Sequence, residues 1–151
     1  MNSFLMKIKE GGRTPPMLNT ACSFVNSDSF KQKINKFLVR SIPFRKLGIG
    51  IAGNQIGLSN KICSIKLNNG NWATLINPII KEYNGEIIEH EEGCLSIPNK
   101  LFTVKRNTKI KIEYNDLNYK IKNLNLKGLE AIIAQHEIDH LNGVLISDNT
   151  Q

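Results

Sequence analysis

The chain has 151 residues, which suits one compact domain with a buried core over residues 1–151 and leaves little room for a second. Hydrophobic residues make up 40% and charged residues 22%, which excludes a disordered chain, and no apolar run approaches the roughly 20 residues of a membrane span. The net charge of +7 comes from scattered lysines rather than arginines, so we expect no specific nucleic-acid binding.

The first predicted element is a helix over Ser29–Leu38, where apolar residues recur at helical spacing. Pro43 argues against continuation of this helix, because proline lacks the backbone donor that a helix interior needs. The next segment, Gly48–Gly57, holds four glycines in ten residues. Such a density indicates that the backbone comes close to another group there.

Alternation of apolar and polar residues with a period of two predicts the strands that follow. One strand begins at Lys61, and a turn over residues 68–71 leads into a returning strand over Trp72–Ile80. A further strand is predicted over Glu86–His90, and a hairpin over residues 109–122.

The last predicted element is a helix from Gly128 to Leu141, followed by the stop signal Asn142-Gly143. Short antiparallel strands with two helices predict an α+β fold. Strands and helices do not alternate along the chain, which disfavours a parallel nucleotide-binding sheet.

The last helix contains an H-E-x-x-H motif at His136, Glu137 and His140. Residues four apart lie one above the other on a helix, so both imidazoles can reach one metal ion, with Glu137 beside them. Both histidines fall on the apolar stripe of this helix. Burial of two imidazoles there favours a metal site over two ordinary core histidines.

Two histidines need at least one further ligand, and the sequence offers several candidates. These are Cys22, Cys63, Cys94, His90 and the carboxylates. Cys63 lies on the inward face of a predicted strand and is expected to be a small core residue. The three cysteines form no CxxC pair, which argues against a disulfide scaffold and favours a reducing compartment.

Three motifs, in this order, resemble the signatures of the peptide deformylase family. They are GIGIAGNQ at 48–55, EGCLS at 92–96 and QHEIDHL at 135–141. Each motif alone is moderately specific, and the ordered set is highly specific. The resemblance covers about Pro15 to Asp148, and it implies antiparallel strands packed around a central HExxH-bearing helix.

The resemblance implies one divalent metal ion held by Cys94, His136 and His140, with water in the fourth position. Fe(II) is the implied native ion, and Zn, Ni or Co can substitute. Metal-bound hydroxide would attack the formyl group on the N-terminal methionine of a newly made polypeptide, releasing formate. Glu137 would move the proton as general base and then acid, while the Gln55 side chain and the Leu95 backbone N–H would stabilise the oxyanion.

The resemblance also implies how N-formyl-methionyl peptides bind. Ile49, Gly50 and Gly93 would line the extended peptide as neighbouring strands do. Ile132 and Ile133, with Ile49, would form an apolar pocket for the methionine side chain. Ordinary core packing is the alternative for Ile132 and Ile133.

Three positions depart from the family pattern. Gly53 replaces the more usual alanine, while Leu47 and Leu101 replace an acidic residue and an arginine that family members often carry. An apolar contact replacing an ion pair is often energetically neutral, and here it would make the pocket rim more apolar.

The chain stops at Gln151, without the C-terminal helix that many bacterial members use at the ribosome. We therefore expect a minimal, phage-encoded or organellar-type enzyme. We expect it to be a cytoplasmic monomer with no membrane partner, near the ribosome but without that docking route.

Two other functions remain open at this point. An HExxH zinc peptidase would require a third ligand, His or Glu, downstream of the helix, where the sequence has neither and Ser147 and Asp148 offer the nearest hydroxyl and carboxylate oxygens. A structural zinc domain with a basic binding surface would require a closed site of four ligands. Asp139 is expected either to brace the helix through a basic residue such as Arg106 or to be a solvated charge.

Overall fold

A single antiparallel sheet of five strands forms the body of the computed structural model, which describes residues 21–94 and 97–146. The strands follow one another in space in the same order as in the chain. They are β1 (Gly50–Ala52), β2 (Ile62–Lys66), β3 (Trp72–Cys94), β4 (Ile97–Asn115) and β5 (Ile121–Lys127). Each pair of neighbours is antiparallel, as the alternating sequence predicts.

The strand β3 is longer than expected, because the predicted strands Trp72–Ile80 and Glu86–His90 form one continuous strand of 23 residues. The residues between them belong to the same strand, and the pairing with β4 is irregular there, for example between Asn84 and Ile87. Gly85 lies there with φ +73°, and a Cβ at this position would clash with Thr108 Oγ1. The two predicted strands were therefore correct in type but wrong in being separate.

The helix α1 covers Phe30–Arg45, so the expectation that Pro43 lies beyond its end was wrong. The carbonyl that loses its donor to Pro43 is that of Val39, four residues earlier. The Val39 side chain is 68% exposed, so this side of the helix faces solvent and water can replace the missing donor. Pro43 also lies within one turn of the helix end, where its effect on the helix is small.

The helix α2 (Leu129–Leu141) packs on the sheet and forms the centre of the molecule. Ten of its 13 residues are buried, and its apolar residues share a core cluster with side chains of β2, β3 and β4. The predicted stop is confirmed, since Gly143 adopts φ +77° and its N–H bonds to the His140 carbonyl at 3.0 Å. The predicted α+β fold, with antiparallel strands around the HExxH helix, is confirmed.

Neither helix in the described part of the chain combines the length and the apolar character that a membrane crossing requires.

Candidate functional site

Three potential metal ligands converge between α2 and the end of β3. His136 and His140 lie one turn apart on α2, and their Nε2 atoms are 3.1 Å apart. Cys94 is the last residue of β3, and its Sγ lies 3.3 Å from His140 Nε2. The three ligand atoms lie within 4.8 Å of one another, and all three residues are buried.

The chemistry of this cluster fits a divalent transition-metal ion. One sulfur and two imidazole nitrogens form a donor set that such ions favour. The electrostatics agree: burial lowers the pKa of His136, yet the acceptors Cys94 and Glu92 outweigh it and raise that pKa to about 10. Burial and the neighbouring His136 hold the pKa of His140 well below its usual value. The cluster therefore attracts positive charge while one of its imidazoles stays neutral.

Glu92 orients His136 from the side opposite the cluster. Its Oε1 accepts a hydrogen bond from His136 Nδ1 at 2.9 Å, so His136 Nε2 faces the other two ligands. Burial raises the pKa of Glu92, but hydrogen bonds from His136 and Arg106 outweigh it and lower that pKa to about 2. No role was expected for Glu92 from the sequence. The signal was its position two residues before Cys94, on the same face of one strand.

Arg106 of β4 connects Glu92 back to α2. Its Nε and Nη2 donate to the two Glu92 oxygens, each at 2.9 Å, and its Nη1 donates to Asp139 Oδ2. The Arg106 guanidinium is buried, and two carboxylates compensate its charge. The hypothesis that Asp139 braces the helix through Arg106 is confirmed. His136, Glu92, Arg106 and Asp139 thus form a chain of contacts that begins and ends on α2, which we call the ligand brace.

Glu137 lies beside the cluster and is almost completely buried. Its side chain is 4% exposed, and its Oε2 has no hydrogen-bond partner among the described residues. Burial raises the pKa of this carboxyl to about 7. A Cβ on Gly50 would lie 2.6 Å from Glu137 Oε1, so any larger residue there must displace the carboxylate. The close approach expected of the glycine-rich segment is thus present at Gly50.

Gln55 presents its amide nitrogen to the ligand cluster. It lies on the 3₁₀ helix Gly53–Ile56, and its Oε1 accepts a hydrogen bond from the Ala52 N–H at 2.9 Å. This contact leaves Nε2 directed at Cys94 Sγ, 3.6 Å away. Leu95, the second expected oxyanion donor, lies outside the described residues.

A cavity of about 840 Å³ opens onto the cluster. The five residues expected to contact substrate all line it, and they are Ile49, Gly50, Gly93, Ile132 and Ile133. His90 also lines it, with its Nδ1 3.6 Å from Glu92 Oε2 and away from the ligand cluster. Cys63 is fully buried in the core, as expected, and Cys22 is buried with it.

The family model for polypeptide deformylase matches residues 8–151. The chain belongs to the polypeptide deformylase family. A peptide deformylase of Microchaete diplosiphon is 42% identical over 125 residues, which is 80% of this chain and 66% of that protein. One from Prochlorococcus marinus is 46% identical over 105 residues, which is 67% of this chain and 52% of that protein. The chain thus spans about half to two thirds of the length of these curated relatives.

Solved deformylase structures share the fold. The enzyme of Thermotoga maritima superposes with a TM-score of 0.82 at 33% identity, covering 90% of this chain and 92% of that one. The enzyme of Synechococcus elongatus, solved in complex with actinonin, superposes with a TM-score of 0.79 at 32% identity, covering 91% of this chain and 82% of that one. A Met-Ala-Ser-bound deformylase of Acinetobacter baumannii superposes with a TM-score of 0.77 at 27% identity, covering 91% of this chain and 94% of that one.

Proposed function

We propose that residues 1–151 form one catalytic domain that removes the N-formyl group from the N-terminal methionine of newly made polypeptides and releases formate. The observation that carries this proposal is the buried Cys94–His136–His140 cluster with Glu137 beside it, open to one cavity. Membership of the deformylase family supports it. The Acinetobacter relative binds Met-Ala-Ser, a peptide with a free N-terminal methionine such as deformylation leaves.

Cys94, His136 and His140 would hold one divalent ion, and we propose Fe(II) as the native one. A sulfur with two imidazoles also suits Zn, Ni and Co, so each can replace Fe(II) in the test below. When bound, the ion supplies Lewis acidity, which makes water a competent nucleophile near neutral pH and polarises the formyl carbonyl. Metal analysis of protein purified without oxygen tests the assignment of Fe(II).

Glu137 would move the proton during the reaction. With a pKa raised to about 7, its carboxylate can take a proton from the attacking water and then deliver it to the leaving amine. Its unpaired Oε2 is the atom that we assign to this transfer. The Gln55 amide, held by Ala52, would donate to the developing oxyanion together with the Leu95 backbone N–H.

The peptide would bind in an extended form along Ile49, Gly50 and Gly93, because backbone pairing accepts many sequences. The methionine side chain would enter between Ile132 and Ile133, which are 5% and 6% exposed and line the cavity next to His136. An apolar pocket with few polar groups suits a thioether side chain.

The test is formate release from a formyl-Met-Ala-Ser peptide by protein loaded without oxygen with Fe(II), or with Ni(II). Glu137→Ala should lower kcat by about a thousandfold, the scale of general acid–base catalysis, while the metal content stays at one equivalent. Glu130→Ala, on the same helix but hydrogen-bonded to the Asn68 N–H, is the matched control and should stay active. Wild-type protein with a full equivalent of metal and no activity would overturn the proposal.

We further propose that the chain acts as a cytoplasmic monomer close to ribosomes. The net charge of +7 supports a weak attraction to ribosomal RNA. Sedimentation velocity should give the mass of one chain, 17.0 kDa. Co-sedimentation with ribosomes should be weak and should disappear as salt is raised.

A further inference from the structure

Large apolar side chains surround the mouth of the cavity and remain open to solvent. Leu47 is 51% exposed, Ile49 49%, Leu101 69% and Leu129 48%, and all four line the same cavity. They come from the segment before β1, from β4 and from the start of α2. We call these four residues the apolar rim. Single exposed apolar residues are ordinary, but four around one cavity mouth mark a binding surface.

The rim is continuous with the proposed peptide site. Leu101 Cδ2 lies 3.5 Å from the position of a Cβ on Gly93, so this leucine lies beside the strand segment assigned to the peptide. Leu129 lies one helical turn before Ile132 and Ile133, the proposed methionine pocket. Apolar surface therefore extends from that pocket outward to the cavity mouth.

The charged groups at this mouth favour neither sign of ligand charge. Glu91 and Lys100 both line the cavity and are exposed, and they provide one charge of each sign. The apolar side chains are therefore what distinguishes one substrate side chain from another at this point. An extended peptide advances about 3.3 Å per residue, so the two residues after methionine lie within about 7 Å of it along the peptide.

We propose that the apolar rim binds an apolar side chain in one of the two residues that follow the formyl-methionine. The chain would then select among formylated polypeptides by the hydrophobicity of these residues. This inference rests on the proposed function and adds a preference to it. Partial burial of one leucine side chain on the rim corresponds to about a tenfold gain in kcat/KM.

The test compares formyl-Met-Leu-Ser and formyl-Met-Ala-Leu with formyl-Met-Ala-Ser, and with peptides carrying Glu or Lys at the same positions. One of the leucine peptides should be preferred about tenfold over the reference and over both charged forms. In the variant with Leu47→Ser and Leu101→Ser this ratio should fall towards one. Leu117→Ser is the matched control, because Leu117 is 52% exposed but lies outside the cavity lining, and it should keep the ratio.

Equal kcat/KM values for all peptides, or an unchanged ratio in the double variant, would overturn the rim proposal and leave deformylation standing. Binding of the unformylated peptides Met-Leu-Ser, Met-Ala-Leu and Met-Ala-Ser to Ni(II)-loaded protein, measured by calorimetry, gives a readout without turnover. A tenfold tighter Kd for one leucine peptide, lost in the double variant, supports the rim even if no formyl peptide is cleaved. Absence of cleavage with equal Kd values overturns both proposals.

Discussion

Gly50 and Glu137 are packed so closely that one methyl group on Gly50 would displace the carboxylate. A Cβ there lies 2.6 Å from Oε1 and 2.9 Å from Cγ of Glu137. We expect Gly50→Ala to fold, because β-strand backbone accepts alanine, but to lower kcat about a hundredfold by moving the proposed base. Formate release and a circular dichroism spectrum measure the two effects.

A double variant tests the cause of that loss. Glu137→Ala removes the carboxylate, so the added methyl group on Gly50 has nothing left to displace. The double variant with Gly50→Ala should therefore be more active than the product of the two single effects predicts. Strict additivity would show that Gly50→Ala acts somewhere else.

Arg106 is expected to be the most sensitive residue of the ligand brace. Arg106→Ala leaves the buried Glu92 carboxylate and the partly buried Asp139 carboxylate without their cationic partner. We expect this loss to lower the unfolding free energy by about 3–5 kcal/mol. Metal affinity should fall about 10- to 100-fold, because His136 loses the group that fixes Glu92. Urea denaturation and chelator competition measure the two losses.

Arg40→Ala is the control for this variant. Arg40 hydrogen-bonds to the backbone carbonyls of Ile56 and Gly57, away from the brace. Its loss should change stability by about 1 kcal/mol and leave metal affinity unchanged. Equal metal affinity in both variants would contradict a role for the brace in metal binding.

The local part of the cluster and the Asp139–Arg106 contact could be predicted from sequence, and the part that Glu92 plays in the brace could not. His136 and His140 share a helix face, and helix geometry alone fixes their proximity. Glu92 and Arg106 meet across the β3–β4 pair, in which Glu92 is opposite Phe102 and Arg106 is opposite Ile88, so the long Arg106 side chain spans the offset. That register depends on irregular pairing along β3, which no local pattern reveals.

At the level of elements, Pro43 is a tolerated defect in α1. Its side chain is exposed, so replacement by alanine removes little packing and adds a backbone donor. We expect Pro43→Ala to raise the unfolding free energy by about 1 kcal/mol, less than the full cost of proline in a helix interior. Ile42→Ala, at the neighbouring exposed position, should stay within about 0.5 kcal/mol of wild type in the same urea titration.

The strand β3 shows why the bounds of a strand could not be predicted from local sequence. Asn84-Gly85 is a dipeptide that normally indicates a hairpin turn, and it divides two alternating segments. Here Gly85 forms an irregularity within the strand instead, and the Glu86 N–H bonds to Thr108 Oγ1 at 2.9 Å. Pairing along the whole of β4 outweighs the local preference for a turn.

At the level of the whole molecule, the packing of α2 against the sheet brings residues together that are distant in sequence. Cys94 and His140 are 46 positions apart in sequence and meet because β3 ends beside α2. The alternating strands and the apolar helix were sufficient to predict the α+β class. The strand order and the meeting point of β3 with α2 depend on long-range packing, for which the sequence offered only its family resemblance.

The ligand brace has a consequence for how the protein acquires its ion. Its hydrogen bonds join β3, β4 and α2 through protein groups alone, so His136 is oriented before any ion arrives. Chelation should therefore leave the far-ultraviolet circular dichroism unchanged, and reloading should be fast and reversible. A loss of secondary structure on chelation would contradict this. In a site already assembled, the ion that occupies it is decided by supply, so the same polypeptide would take up different metals in different cells.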